Sequence, residues 1–156
     1  MFGALTEQST LVVERAKQIA KTSGSEALAT LHILIALMEG PRSLAQEVLR
    51  GSMASAKEMT LKEICSYADE EAADGLVSFY TKPLAKVILS AVRIIFVMED
   101  AFIGPHHILL GIFATPSCSA YRFLASHGAD AAVLANECLR ILGRDSLDWP
   151  RIADAN

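Results

Sequence analysis

The side chains in this sequence with the most versatile chemistry are its four histidines and three cysteines. A thiol beside an imidazole would indicate a Cys–His nucleophile, but no third, orienting group is recognisable for Cys118 or Cys138. The adjacent pair His106 and His107 would be the natural start of a metal site. Neighbouring helix positions, however, point about 100° apart, and no carboxylate or cysteine has ligand spacing with the pair. The sequence therefore predicts no metal and leaves a small Cys/His hydrolase as the weaker alternative.

The histidines instead mark an internal repeat. Segment 29–37 (Ala-Thr-Leu-His-Ile-Leu-Ile-Ala-Leu) is echoed by 104–112 (Gly-Pro-His-His-Ile-Leu-Leu-Gly-Ile), and His32 matches His107 at an offset of 107 − 32 = 75. Similar segments at a fixed offset indicate a duplicated structural unit. Each segment reads as a helix start followed by an apolar run. Both histidines are therefore predicted to satisfy backbone groups near these helix starts.

Threonines at the same offset open the long helices of the two copies. Thr6 and Thr81 are predicted N-caps, and Thr30 is predicted to cap the next helix of the first copy through its hydroxyl. Pro105 takes the first helical position in the second copy, where its missing N–H costs nothing. The capping box Ser55–Glu58 opens a fourth helix. The predicted helices begin near residues 6, 30, 43, 55, 81, 105, 118 and 130.

No alternating pattern typical of strands competes with these helices, so the predicted fold is all-α, with two pseudo-symmetric four-helix repeats. The first repeat is expected at 1–73, the connector at 74–80, the second repeat at 81–143 and a loose tail at 144–156. At 156 residues the two repeats should share one compact domain.

Composition excludes several classes of function. The net charge is −4, and no Lys/Arg cluster is present, so no nucleic-acid partner is predicted. The most apolar run, 87–98, is interrupted by Arg93 and is too short to cross a bilayer. The three cysteines form no C-x-x-C pair, which argues against a zinc knuckle or a disulfide framework. No signal-peptide pattern opens the sequence, and a reducing, cytoplasmic compartment is expected.

Several motifs together resemble the double Clp N-terminal repeat, most closely the ClpC type. They are Met-Phe-Gly at 1–3, Leu-Thr-Glu at 5–7, Ala-Thr-x-His-Ile-Leu at 29–34, Tyr-Thr at 80–81 and Gly-x-x-His-Ile-Leu-Leu-Gly at 104–111. One such motif would be a weak signal, but two at the right offset are strong evidence of fold. The resemblance covers roughly residues 1–143.

The resemblance implies a module that is not catalytic and needs no cofactor. In that family the domain docks substrates and adaptor proteins for Clp ATPase rings, which feed a separate protease chamber. The sequence contains no G-x-x-x-x-G-K-[ST] phosphate loop. The expected partners are therefore Clp ATPase or protease subunits, adaptor proteins or substrate proteins. No interaction with a membrane is expected. The chain resembles either a stand-alone accessory protein, cytoplasmic or stromal, or the N-terminal domain of a full-length Clp ATPase.

Two departures from the ClpC pattern affect ligand choice. ClpC-type repeats read Gly-Thr-Glu-His at the second helix start, and the glutamate can receive a guanidinium, including that of phosphorylated arginine. Leu31 and His106 stand at these positions, and neither offers a carboxylate fork. The threonine survives as Thr30 but is Pro105 in the second copy. Phosphoarginine docking is therefore predicted to be lost or severely weakened.

The fifth helix departs too. Leu89, Val92, Arg93 and Phe96 form a second stripe beside its core-facing residues. A helix that is apolar on both sides must be buried or must meet a partner. The stripe is predicted to be a docking or self-association surface, including a possible homodimer. The residues predicted to contact partners are Thr6, Thr30, Leu31, Thr81, Leu89, Val92, Arg93, Phe96, Pro105 and His106.

Two smaller features each have a structural and a functional interpretation. The acidic residues Asp69, Glu70, Glu71 and Asp74 are typical of a solvated helix end, with a contact to a basic adaptor as the alternative. Trp149 in the tail is expected to pack back on the domain or to anchor a partner.

Overall fold

The computed structural model describes residues 4–40, 42–50, 60–144 and 149. Within them the chain forms eight helices and one hairpin of two very short strands, which confirms the all-α prediction. The hairpin pairs Leu76 with Thr81 and Val77 with Tyr80, across the predicted connector and the first residue of the second repeat, where no strand was predicted. In chain order the elements are α1 Glu7–Thr22, α2 Thr30–Glu39, α3 Leu44–Arg50, α4 Leu61–Ala72, β1 Leu76–Val77, β2 Tyr80–Thr81, α5 Lys82–Met98, α6 Pro105–Phe113, α7 Ser119–Ser126 and α8 Ala131–Ile141.

The helix starts follow local chemistry in most places. Thr6 accepts a hydrogen bond from the Ser9 amide at 3.1 Å, and Thr81 accepts one from the Leu84 amide at 3.2 Å, as N-caps should. Pro105 is the first residue of α6, as predicted. These helix starts depend on residues close in sequence and could therefore be predicted from it.

Two predicted starts differ. Thr30 is not a cap, because α2 begins at Thr30 itself after the N-cap Ala29, and the Thr30 hydroxyl hydrogen-bonds to Glu71 instead. The capping box Ser55–Glu58 lies outside the described residues. In the described part α4 begins at Leu61, one residue after the N-cap Thr60.

The two repeats hold each other through reciprocal backbone bridges. The segment before α1 pairs with the segment before α6, and the segment before α5 pairs with the segment before α2. The two bridges are related by the repeat offset, because 5 + 75 = 80 takes Leu5 to Tyr80 and 103 − 75 = 28 takes Ile103 to Leu28. This is the pattern expected of a twofold-like arrangement of duplicated halves. The four bonds are Thr6 N to Ile103 O at 3.0 Å, Ile103 N to Ala4 O at 2.9 Å, Thr81 N to Leu28 O at 3.0 Å and Leu28 N to Phe79 O at 2.9 Å.

The second helices of the repeats lie within the core. Residues 30–37 of α2 are all buried, and in α6 every residue except His106 is buried. Both helices are therefore apolar all round, as expected for elements covered on every side. Among the described residues, no helix is long and apolar enough to cross a membrane.

Trp149 belongs to this core. Its side chain is 4% exposed and meets Phe113 edge to face, with the ring centroids 6.5 Å apart. Its backbone amide donates to the Asn136 side chain at 3.1 Å. The interpretation that this indole packs on its own domain is confirmed.

Candidate functional site

A buried carboxylate, which sequence reasoning missed, joins the two repeats. Glu71 was predicted to belong to a solvated acidic helix end, and that prediction is wrong for this residue. Asp69, Glu70 and Asp74 are exposed as expected, but the Glu71 side chain is fully buried at the last turn of α4. The sequence spacing could have indicated this burial, because Ile64, Ala68 and Glu71 lie on one face of α4 and that face is buried.

Glu71 accepts five hydrogen bonds. One oxygen accepts from the Thr30 amide and the Thr81 hydroxyl, each at 2.7 Å. The other accepts from the Ser119 amide at 2.8 Å, the Ser119 hydroxyl at 3.0 Å and the Thr30 hydroxyl. These donors lie at the starts of α2, α5 and α7, whose helix dipoles favour a negative charge. Because the carboxylate is satisfied by the chain itself, it acts as a structural joint between the repeats.

Several residues predicted to meet partners are instead internal. Thr30, Leu31 and Thr81 are each 0% exposed, and Pro105 is buried as well. These four residues therefore present no surface to a partner, because Glu71 and the core already surround them. Thr6 and His106 are partly exposed.

His32 and His107 cap the two central helices, as predicted. The Ala29 amide donates to Nδ1 of His32 at 2.9 Å, and the Gly104 amide donates to Nδ1 of His107 at 2.8 Å. In both, the side chain three residues into the helix satisfies an N-terminal amide that has no partner within the helix. The matching pair of bonds confirms the structural role of both residues.

A carboxylate does lie beside the histidine pair, which corrects the prediction from spacing. Asp100, His106 and His107 each offer a ligand atom within 4.8 Å of the others. However, Nδ1 of His107 accepts the Gly104 amide, so Nε2 carries the proton and donates to Asp100 at 2.7 Å. A metal at Nε2 would have to displace that proton. Arg144 also lies 3.1 Å from Asp100, and its charge opposes a cation. The cluster is better suited to fixing the α5–α6 turn than to holding a metal.

Burial makes the histidines sensitive to acid. It lowers the pKa of His32 to about 4, against a smaller raising effect of Glu71. It lowers the pKa of His106 to about 4 as well, with His107 adding to the effect and Asp100 opposing it. Between pH 6.5 and 4 the unfolded chain binds protons that the folded chain excludes, so stability should fall as pH falls.

We expect the free energy of unfolding to decrease by about 2 kcal/mol between pH 7.5 and pH 5 for His32 alone, with a further loss from His106. Urea titrations at several pH values above 5, where carboxylates titrate little, would measure this slope. The variant His106→Gln should show a shallower slope than the wild type. A stability that is flat over this range would contradict the neutral, buried state of these imidazoles.

Two of the three cysteines are poor nucleophiles. Burial raises the pKa of Cys118 to about 11 and that of Cys138 to about 12, so both are protonated thiols near neutral pH. Cys118 caps α7, and its sulfur accepts from the Tyr121 amide at 3.4 Å. Cys65 is half-buried and its thiol donates to the Ser23 carbonyl at 2.8 Å.

We expect N-ethylmaleimide to leave Cys118 and Cys138 unmodified in the folded protein. Both thiols are buried and stay protonated near neutral pH, so the reagent meets no accessible thiolate. Intact-mass measurement before and after denaturation would count the modified thiols. The unfolded chain should take up three labels. Rapid labelling of either residue in the native state would instead favour the hydrolase alternative.

The outer face of α5 carries several exposed apolar side chains. Leu89 is 50% exposed and Phe96 is 76% exposed, with the charged Arg93 between them. Val92 is half-buried and packs against the core. Val97 adds a further 40% exposed apolar side chain. Exposed aromatic and aliphatic side chains along one helix are typical of an interaction surface.

This geometry agrees with the comparisons to known proteins. The model of the Clp repeat (R) N-terminal domain matches residues 4–143. The chain therefore belongs to this family. It is similar to the ATP-dependent Clp protease ATP-binding subunit ClpC of Staphylococcus saprophyticus, 25% identical over 143 residues, and to ClpC of Staphylococcus aureus, 24% identical over 147 residues.

A solved structure has the same fold. The N-terminal domain of the caseinolytic protease associated chaperone ClpD from Arabidopsis thaliana matches with a TM-score of 0.62 and 20% identity, covering 91% of this chain and 99% of that domain. The two ClpC alignments cover 92% and 94% of this chain but only 17% and 18% of those relatives. The chain thus corresponds to a module of the Clp system that is a small part of those subunits.

Proposed function

We propose that this domain is a non-enzymatic protein-binding module that docks adaptors, substrates or Clp subunits for the Clp chaperone and protease system. The observation that carries the proposal is the exposed stripe on α5. Leu89 and Phe96 lie on an outer face with no covering element among the described residues, and burying such side chains on association would be favourable. Membership of the Clp N-terminal family supplies the cellular context.

The state of the reactive side chains supports a role without catalysis. Nδ1 of His32 and of His107 is occupied by a helix-capping bond, and two of the three thiols are buried and protonated. A Cys/His hydrolase needs an accessible thiolate beside a free imidazole. The hydrolase therefore remains the weaker alternative.

The domain would act either as part of a longer Clp ATPase or as a separate chain that associates with one, in the cytoplasm or the equivalent stromal compartment. A phosphate-loop motif encoded in the same reading frame would establish the first arrangement. A homodimer through α5 is a further arrangement that the same surface permits. Phosphoarginine is not the proposed ligand, because Leu31 lies in the core and His106 offers no carboxylate.

The proposal is tested by affinity capture from an extract of the source cells with the tagged wild type and the double variant Leu89→Asp/Phe96→Asp. We expect the wild type to capture Clp ATPase or protease subunits, identified by mass spectrometry, and the variant to lose them. Binding of the purified partner, measured by calorimetry, should weaken by roughly a hundredfold or more, as for truncation of central hot spots.

The matched control places the same substitution on another helix. Val133 of α8 is 63% exposed, so Val133→Asp changes the same chemistry away from α5. It should leave capture intact. Equal capture by all three proteins would show that α5 is not the docking surface, and capture of no Clp component by the wild type would contradict the proposal itself.

A further inference from the structure

A groove runs alongside the α5 stripe. It lies between the outer face of α5 and the turn that joins α6 to α7, and it encloses about 260 Å³. This is below the roughly 300–1,000 Å³ of typical small-molecule sites, and the groove is open along one side. It suits one or two protruding side chains better than a cofactor. Its lining includes Lys86, Leu89, Ser90, Arg93, Thr115 and Pro116.

The groove presents unused hydrogen-bond donors. Among the described residues, neither the Lys86 ammonium nor the Ser90 hydroxyl has a hydrogen-bond or ion-pair partner. Ser90 is only 8% exposed, so its hydroxyl sits low in the groove, while Lys86 is exposed at its rim. The Thr115 hydroxyl donates to the Gly111 carbonyl at 2.9 Å and keeps its lone pairs. A ligand carboxylate would give Lys86 and Ser90 the acceptor that they lack.

The charge of α5 is opposite to that of the whole molecule. The helix carries Lys82, Lys86 and Arg93 and no acidic residue. The full chain has a net charge of −4, so the residues outside α5 sum to −4 − 3 = −7. The groove lining repeats this pattern, with two cations and no carboxylate. A basic partner would be repelled at the groove, whereas an acidic segment would be guided to it.

The shoulders of the groove are apolar. Leu89 and Pro116 line it, and Phe96 follows on the same face of α5, two turns after Leu89. A ligand that satisfies both parts must carry a carboxylate next to an aliphatic or aromatic side chain. A free anion would leave the apolar part unused, and a purely apolar helix would leave Lys86 unpaired.

We propose that this groove binds an acidic–apolar peptide segment of a partner protein, with a Glu or Asp carboxylate held by Lys86 and Ser90, an adjacent apolar side chain against Leu89, and a further one reaching Phe96 along α5. This rests on the proposed docking function and specifies the chemistry of the partner. In this proposal the contact between the ligand carboxylate and Lys86 and Ser90 lies on the side of the stripe that faces the α6–α7 turn.

The test uses a short fluorescein-labelled peptide that alternates glutamate with leucine, measured by fluorescence anisotropy with the whole chain. Matched peptides carry glutamine or lysine in place of glutamate. We expect the glutamate peptide to bind at least roughly tenfold more tightly than the lysine peptide, with a preference that shrinks as salt is raised. Lys86→Glu should weaken it roughly fivefold to tenfold.

Lys62→Glu is the matched control, because Lys62 is an exposed lysine on α4 and the charge change is identical. It should leave binding unchanged. Equal affinity for the three peptides, an undetectable interaction, or an effect of Lys62→Glu as large as that of Lys86→Glu would overturn the proposal. Sedimentation that shows a wild-type dimer dissociated by Lys86→Glu would also overturn it, since a second copy would then be the occupant.

The two proposals fail separately. If Leu89→Asp/Phe96→Asp abolishes capture of Clp subunits while Lys86→Glu and the peptides have no effect, docking on α5 stands and the acidic–apolar specificity falls. If the glutamate peptide binds as expected but no Clp component is captured, the groove stands and the assignment to the Clp system falls.

Discussion

Replacing Glu71 with glutamine should lower the free energy of unfolding by about 3–5 kcal/mol. The two side chains have the same shape, but the amide nitrogen of glutamine is a donor and cannot accept. It would face either the Thr30 amide and Thr81 hydroxyl or the donors of Ser119, all within 3.0 Å of the carboxylate. The NH₂ group of the glutamine would then face buried hydrogen-bond donors and no acceptor. Chemical denaturation followed by circular dichroism would measure the loss.

The neighbouring residue supplies the control. Glu70 is exposed and pairs with Arg122 at 3.2 Å on the surface. Surface pairs of this kind contribute only about 0–1 kcal/mol, so Glu70→Gln should be nearly neutral. Equal, small effects of the two variants would show that Glu71 is not a structural joint.

The joint also links the halves of the molecule. Thr30 belongs to the first repeat, whereas Thr81 and Ser119 belong to the second, and one carboxylate contacts all three. In Glu71→Gln we therefore expect faster hydrogen exchange at the starts of α2 and α7 than elsewhere in those helices. This local loss of protection would separate a broken joint from a general destabilisation.

The elements that could be predicted from sequence are those decided by nearby residues. The caps Thr6 and Thr81 and the proline start of α6 follow from side chains within three positions of the affected amides. The repeat offset of 75 predicted two similar halves, and the backbone bridges between them follow the same offset. The helical fold was accessible for the same reason.

The features that the sequence did not predict depend on residues far apart in the chain. Thr30 looks like a cap from its neighbours, but Glu71, 41 residues away, takes its hydroxyl. No carboxylate was predicted beside the histidine pair, yet the turn after α5 brings Asp100 within 2.7 Å of His107. The groove likewise depends on α5 meeting the α6–α7 turn. Such contacts are tertiary, and a single sequence carries no direct signal for them.

The crossing of α5 and α6 offers a second large effect, centred on Gly111. A Cβ built at Gly111 would lie 2.6 Å from the Val87 carbonyl oxygen and 3.4 Å from the Ala91 amide nitrogen. The first contact is with backbone, so relief requires the two helices to separate. Gly111→Ala should therefore destabilise the fold by about 2–3 kcal/mol, and the larger Gly111→Val should cost more.

Helix propensity acts in the other direction, and the pseudo-symmetric position separates the two effects. Alanine is favoured over glycine inside a helix by about 0.5–1 kcal/mol, so propensity alone would make Gly111→Ala stabilising. In the first repeat the equivalent residue, at 111 − 75 = 36, is the fully buried Ala36. Propensity predicts opposite signs for Gly111→Ala and Ala36→Gly, whereas packing predicts that both destabilise. Thermal and urea denaturation of the two variants decides between them, and a more stable Gly111→Ala would show that α5 and α6 do not need this close approach.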